Sequence, residues 1–270
     1  MVEYYYELQI KPESHYELFM DLMSSLTNEA LEEDAGTIIA RSESELNEIE
    51  FGVLEFAKHL NITCDTTLSK CKNEDWVNKY KQAVKAVTVD KFFIYPTWDK
   101  PSEDKINIII DPALSFGSGH HETTSNCLRA IGKFVKEDDE LLDVGTGSGI
   151  LAIAASKIGA VVDICDTDDF AVGDAIQNFE KNEAKVNTSW VGSATKSQKK
   201  YDVVVANIVA DVLIMIANDL KKCLKPNGIL ILSGILDKHI DRVLKKYKDL
   251  EQLDLIHENE WMSVVLRKNT

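Results

Sequence analysis

Residues 140–166 read ELLDVGTGSGILAIAASKIGAVVDICD. An apolar run, Leu141 and Leu142, ends at Asp143. Three alternating glycines follow, Gly145, Gly147 and Gly149, and an apolar helical pattern starts at Ile150. A second apolar run, 161–165, ends at Asp166. This is strand, glycine loop, helix, strand, acid: the crossover unit of a nucleotide-binding sheet. Glycines let the backbone turn tightly and meet a ligand with no Cβ in the way. An acid ending the second strand can accept hydrogen bonds from both ribose hydroxyls of an adenosine.

The details choose the cofactor. Dinucleotide enzymes carry G-x-G-x-x-G, whose second glycine admits a pyrophosphate. Here the spacing is G-x-G-x-G, and Ile150 stands where the third dinucleotide glycine would fall. Asp143, two residues before Gly145, would repel phosphates but suits the ammonium of a methionine tail. S-adenosylmethionine has an adenosine, a cation and no phosphate, and is the expected cofactor, with Asp143, Gly145, Gly147 and Asp166 around it. A glycine turn in an unrelated α/β domain is the bland alternative.

Outward from this unit, strands and helices alternate, as in a doubly wound parallel sheet. From 92 on, the pattern predicts a helix over 168–182 and strands over 186–191 and 201–208. A helix follows over 209–224, halted by Pro226, Asn227 and Gly228, then a strand over 229–232 and a helix over 237–247. Two last strands fall near 253–257 and 262–266. Ligands in such sheets sit beyond the carboxyl ends of strands. That gathers Asp143, Gly145, Asp166 and Asn207 around one crevice. Asn207 is the candidate for chemistry, because its carbonyls can accept hydrogen bonds from an incoming amine. It could equally cap the next helix. The loop DPALSFGSGHHETT, 111–124, is rich enough to cover a ligand, although Thr123 or Thr124 would also serve as a plain helix cap.

Before the sheet lies a different region. Tyr4, Tyr6, Leu8 and Ile10 alternate as in a half-buried strand. Helical spacing covers 15–26, a short strand 37–40, a mixture of strand and helix 46–60, and a closing strand 61–68. Two helices on a small sheet make an α+β module. Residues 71–85 have helical spacing at Trp76, Val77 and Tyr80 and read as a connecting helix.

Composition narrows the class. Of 270 residues, 44% are apolar, enough for one large and one small core. No run of about 18 apolar residues occurs, so no membrane span is expected. The acidic, aromatic start MVEYYYELQI does not read as a secretory leader. Five cysteines, with no C-x-x-C pair, are expected as reduced thiols of a cytoplasmic protein. His120 and His121 are adjacent and lack further ligands, so no metal site is expected. Residues 1–72 hold 15 Asp/Glu against 5 Lys/Arg, a net of −10 within a chain of net −15. Such a balance repels nucleic-acid phosphates, so direct DNA or RNA binding is not expected. An acidic face is usually just solvated, and docking of a basic partner is the sharper reading.

The loop DPALSFGSGHHETT together with LLDVGTGSGILAIAASKIGA, VVANIVADVL, LSGIL and the late Glu260–Trp261 pair resembles the ribosomal protein methyltransferase A family. That family methylates large-subunit ribosomal protein number eleven. The likeness covers 74–270 and is weak over 1–72, where only the layout agrees. It implies a seven-stranded class I methyltransferase sheet with a small ferredoxin-like amino-terminal domain that grips the substrate. The implied division is 1–72 for substrate recognition, 73–85 as a linker helix and 86–270 as the S-adenosylmethionine-dependent domain. It also implies cofactor contacts at Phe116, Thr124, Gly145, Asp166 and Asn207, and methylation of lysine side chains and of the amino terminus. Ala113, where the family often has glycine, and a short second crossover, 159–166, depart from the pattern without removing a functional group. Two other readings stay open: a small-molecule or nucleic-acid methyltransferase with the same cofactor domain, and a cofactor-binding module without catalysis.

Overall fold

The computed structural model describes residues 4–27, 29, 31–34, 36–72, 85–111 and 121–270. The chain divides into two compact units, Met1–Ala83 and Val84–Thr270.

In the first unit the order is β1 (Tyr4–Pro12), α1 (Tyr16–Leu26), β2 (Leu31–Asp34), β3 (Thr37–Ser42), α2 (Asn47–Leu60) and β4 (Cys64–Lys72). The strands form one antiparallel sheet in the order β2-β3-β1-β4. Two β-α-β halves interleaved in this way make a ferredoxin-like module. The alternation along β1 buries Leu8 and Ile10 completely, against Phe19 and Met23 of α1 and Val53 and Ala57 of α2. The stretch 46–60 is a single helix rather than strand plus helix. Its apolar residues follow helical spacing to one buried face, and Asn61 ends it with a left-handed turn (φ 52°). The expected linker helix falls mostly on 73–84, outside the described residues.

The second unit opens with a small sheet, β5 (Val87–Val89), β6 (Phe92–Tyr95) and β7 (Ile106–Ile109). It continues with α3 (Glu122–Phe134), β8 (Glu140–Val144), α4 (Ile150–Ile158), β9 (Val161–Asp166), α5 (Asp169–Lys181), β10 (Val186–Val191) and β11 (Tyr201–Asn207). Then come α6 (Ala210–Met215), α7 (Ala217–Lys222), β12 (Leu224–Leu236), α8 (Ile240–Leu244), β13 (Glu251–Glu258) and β14 (Trp261–Arg267). The main sheet has the order β10-β9-β8-β11-β12-β14-β13, parallel except for β14, which runs against both its neighbours.

Successive residues of each strand point to opposite faces, and the two cores separate accordingly. Leu141, Val162, Ile164, Val203, Val205 and Ile231 pack with α3, α4 and α5. Leu142, Val144, Cys165, Val204, Leu230 and Leu232 pack with α6, α7 and α8. The chain winds outward from β8 to β10 and returns to β11 on the other side of β8. The crevice of the sheet opens where the winding reverses.

Three expectations need correction. The helix over 209–224 is two short helices, because the chain bends at Ile216 (φ −94°, ψ 10°) and the Asp219 N–H reaches back three residues to the Ile216 carbonyl. The breaker triplet Pro226–Gly228 lies inside β12, since Asn227 N–H and the Gly228 carbonyl pair with the backbone of Lys268. The helix over 237–247 is a 3-10 turn, Asp237–His239, followed by the short α8. The five cysteines are all free thiols.

Candidate active site

The carboxyl ends of β8, β9, β10, β11 and β12 surround a cavity of about 540 Å³, a size suited to a cofactor. At its centre the loop after β8 turns through Gly145 (φ 74°), where a Cβ would fall 2.5 Å from the Ile208 side chain. Only glycine closes this turn against β11's exit. Asn178 of α5 steadies the loop from behind, its amide donating to the Ser148 carbonyl at 2.9 Å.

Asp166, ending β9, stands in the wall. Its carboxylate accepts from the Gly147 N–H at 3.1 Å and from the Asp168 N–H at 3.1 Å. Two backbone donors therefore fix both oxygens at the rim, and remaining lone pairs are left for hydroxyl donors.

Asn207 ends β11 in the opposite wall. Its Nδ2 donates to Thr124 Oγ1 at 3.4 Å, and its Oδ1 is buried with no hydrogen-bond partner. A buried carbonyl oxygen left unsatisfied costs about 1–3 kcal/mol, so this orphan in the cavity wall is an open acceptor position. Thr124 itself is fully buried in the first turn of α3. The helix cap is His121, whose ring accepts from the Thr123 N–H, so Thr124 is free of the capping role. The His121 ring also meets the Trp261 ring edge-on, with centroids 5.0 Å apart, and both line the cavity.

Asp143 departs from expectation. It is fully buried beneath the glycine loop and is not part of the wall; its Oδ2 accepts from Thr146 Oγ1 at 2.9 Å and its Oδ1 has no partner. Burial pushes its carboxyl up to about 7, with the charge of Asp166 adding to the push and the Thr146 hydroxyl and Ala152 backbone opposing it. It does not present an exposed carboxylate to a methionine ammonium. Gly145 and Gly147 are in the wall. Phe116 lies outside the described residues.

Several wall residues escaped the sequence reading. Gly192 and Ser193 follow β10, and the rule that ligands sit past strand ends would have found them. Gly234 in β12 falls in the LSGIL segment of the resemblance, which assigns it no wall role; it sits close against the backbone of Ile208. Val209, Val212, Met215 and Ile216 supply apolar lining.

The wall fits S-adenosylmethionine. Among the described residues, Asp166 is its one carboxylate and no Lys or Arg lines it. Apolar side chains flank the acid, and the Asn207 orphan faces from across the loop. A sheet of this order with these strand ends defines a class I S-adenosylmethionine-dependent methyltransferase, and a methyltransferase from Pyrococcus furiosus shares the fold (TM-score 0.50, 17% identity, 60% of this chain and 89% of that one).

The family described as ribosomal protein L11 methyltransferase (PrmA) matches residues 12–269. Ribosomal protein L11 methyltransferases from Campylobacter concisus and from Nitratiruptor are each 46% identical, covering 99% and 100% of this chain and 99% and 98% of theirs. The crystal structure of a ribosomal protein L11 methylase from Lactobacillus delbrueckii subsp. bulgaricus is 28% identical with a TM-score of 0.65, over 69% of this chain and all of that one. The chain belongs to the ribosomal protein L11 methyltransferase family.

Proposed function

We infer that this chain transfers methyl groups from S-adenosylmethionine to amines of ribosomal protein L11, its lysine side chains and its amino terminus. Membership of the family supports the substrate. The observation that carries the chemistry is the buried, unpartnered Oδ1 of Asn207 in the cavity wall. When bound, the cofactor supplies a sulfonium-activated methyl group to an uncharged amine.

The chain's own residues do the rest. Asn207 Oδ1 accepts an amine N–H and so turns the nitrogen lone pair toward the reacting centre. Thr124 holds the amide by its Nδ2 so that Oδ1, not Nδ2, faces the amine. Asp166 takes the ribose hydroxyls, its carboxylate pinned by two backbone N–H groups. Gly145, Gly147 and Thr124 complete the cofactor side of the site, and Phe116 is assigned there by resemblance.

A lysine amine with pKa near 10.4 is charged at neutral pH, and presenting it neutral at pH 7.4 costs about 4 kcal/mol. Carboxylates around Asn207 would raise that cost. An apolar wall with one carboxylate, committed to ribose, keeps it down. Residues 1–72, with their excess of acid, dock the basic substrate protein, and 86–270 perform the transfer. No helix among the described residues is long and apolar enough to cross a membrane, and a ribosomal substrate supports a cytoplasmic location. No direct contact with nucleic acid is needed.

Incubation with methyl-labelled cofactor and ribosomal subunits tests this. Label in the band of L11, on lysines and the amino terminus by mass spectrometry, is the expected result. Label in RNA would move the assignment to the nucleic-acid alternative. Binding of the cofactor with no transfer to any acceptor would leave a cofactor-binding module.

A further inference from the structure

Two serines lie completely buried beneath the site, Ser233 on β12 and Ser263 on β14. Sheet cores are ordinarily filled by apolar side chains, and buried hydroxyls persist where each is satisfied. Ser233 Oγ lies 3.1 Å from the Thr123 carbonyl and 2.7 Å from Ser263 Oγ. The carbonyl can only accept, so Ser233 donates to it, and Ser263 donates to Ser233. The chain of hydroxyls therefore ends on the first turn of α3, at the residue before Thr124.

Ser233 is also the register partner of Asn207 across the β11–β12 ladder. The pairing of β12 with β14 breaks between Leu232 and Ile235, so Ser233 and Gly234 form a bulge. On its other side the bulge lies against the backbone of Ile208, the residue after Asn207, with room for glycine only: a Cβ on Gly234 would stand 2.5 Å from the Ile208 carbonyl oxygen. One bulge thus touches both halves of the amine-accepting pair, α3 through a hydroxyl and the exit of β11 through a missing side chain. The Asn207–Thr124 hydrogen bond, at 3.4 Å, is long. Small movements of α3 against β11 would break it and free the amide to rotate.

We propose that Ser233, backed by Ser263, is a positioning residue for methyl transfer: it holds the first turn of α3 against the end of β11, so that Thr124 keeps Asn207 Oδ1 turned into the cavity. The inference rests on the assignment of Asn207 as the amine acceptor. Ser233 is fully buried outside the cavity lining and reaches the site through the first turn of α3, at the Thr123 carbonyl.

The test is a double-mutant cycle on the full chain with labelled cofactor and L11. Ser233→Ala should lower kcat roughly 10- to 100-fold, the scale of a misplaced reacting group, with cofactor affinity by calorimetry held within about twofold. In an Asn207→Ala background the same substitution should change kcat by less than about twofold, because the group it positions is gone. Equal fold losses in both backgrounds would overturn the proposal, as would wild-type kcat in Ser233→Ala. If Ser233→Ala does not fold, Ser263→Ala removes only the outer hydroxyl, and a folded Ser263→Ala with wild-type kcat overturns it too. A second readout needs no methyl acceptor. The Asn207 side-chain amide resonances, assigned by their loss in Asn207→Ala, should shift in either serine variant, and unmoved resonances would overturn the proposal. Failure of the wild type to methylate L11 would instead sink the substrate assignment and leave this amide test standing.

Discussion

Asp166, the last residue of β9, and Asp143, next to last in β8, lie beside the same glycine loop, and the structure sets them in opposite surroundings. Asp166 is held at the rim by two backbone N–H groups, which its carboxylate accepts. Asp166→Ala removes an acceptor for two ribose hydroxyls and should weaken S-adenosylmethionine binding by about 1.5–3 kcal/mol, the scale of charge-assisted hydrogen bonds. Calorimetry on the folded variant decides it, and unchanged affinity would remove Asp166 from the site. Asp143 has no rim to use. Its carboxyl, near 3.8 when unfolded, is pushed to about 7 by burial, so the folded chain holds a proton that the unfolded chain has already lost. Folding then takes up a proton between about pH 4 and 7, and stability falls as pH rises across that window. Above pH 7 the whole penalty, on the order of 4 kcal/mol, is in force. Asp143→Asn cannot ionise. Urea unfolding without cofactor should show a shallower loss from pH 5 to pH 8 in the variant than in the wild type, and parallel slopes would show that another group carries the effect. The sequence placed both acids at strand ends but could not tell them apart. Which oxygen reaches the wall depends on how the loop folds over it.

At the scale of elements, what could be read from the sequence were those whose cause is local. Strand β8 ends one residue past Asp143, β11 ends at Asn207, and Asp168 caps α5 by accepting the Phe170 N–H. The misread elements answer to distant residues. Strand β12 runs through Pro226 and Gly228 because Lys268 supplies hydrogen bonds from the far end of the chain. The helical stretch after Asn207 bends at Ile216, in the cavity wall, where regular spacing gives no warning. Gly234 belongs with these. It looks like any glycine in a strand, yet it holds φ at 80° with the Ile208 carbonyl oxygen 2.5 Å from where a Cβ would stand. Gly234→Ala meets both a left-handed backbone and a backbone clash. It should cost at least about 2 kcal/mol and lower methyl transfer, since Ile208 follows Asn207. Gly173 is the contrast: it sits in α5 with nothing within 4 Å of its would-be Cβ. Gly173→Ala should stabilise by up to about 1 kcal/mol, the difference in helix propensity. Thermal unfolding of the two variants should move in opposite directions, and a Gly234→Ala chain as stable as the wild type would discount the bulge as a constraint.

The whole molecule sets a small acidic unit before a large catalytic one. The core of Leu8, Ile10, Phe19, Ile38 and Val53 draws only on the first unit, and the two cores of the main sheet draw only on the second. Every described residue of the cavity wall likewise comes from the second unit. A chain beginning at Val84 therefore keeps the glycine loop, Asp166, Asn207 and their supporting strands. It should fold and bind cofactor with an affinity close to that of the full chain. It lacks residues 1–72 and their net charge of −10, together with exposed apolar side chains such as Phe51 and Leu54 on α2. If this unit recruits the substrate, the short chain should lose methylation of intact L11 while still methylating a high concentration of free amine. Electrostatic recruitment makes a further demand. Exposed charges are screened beyond about 8 Å at physiological ionic strength, so methylation by the full chain should fall as salt rises, through KM rather than kcat. Full activity of the short chain toward L11 would end the recruitment assignment. Activity lost on truncation but indifferent to salt would shift the docking from the acids of the first unit to its apolar face, where Phe51 and Leu54 stand.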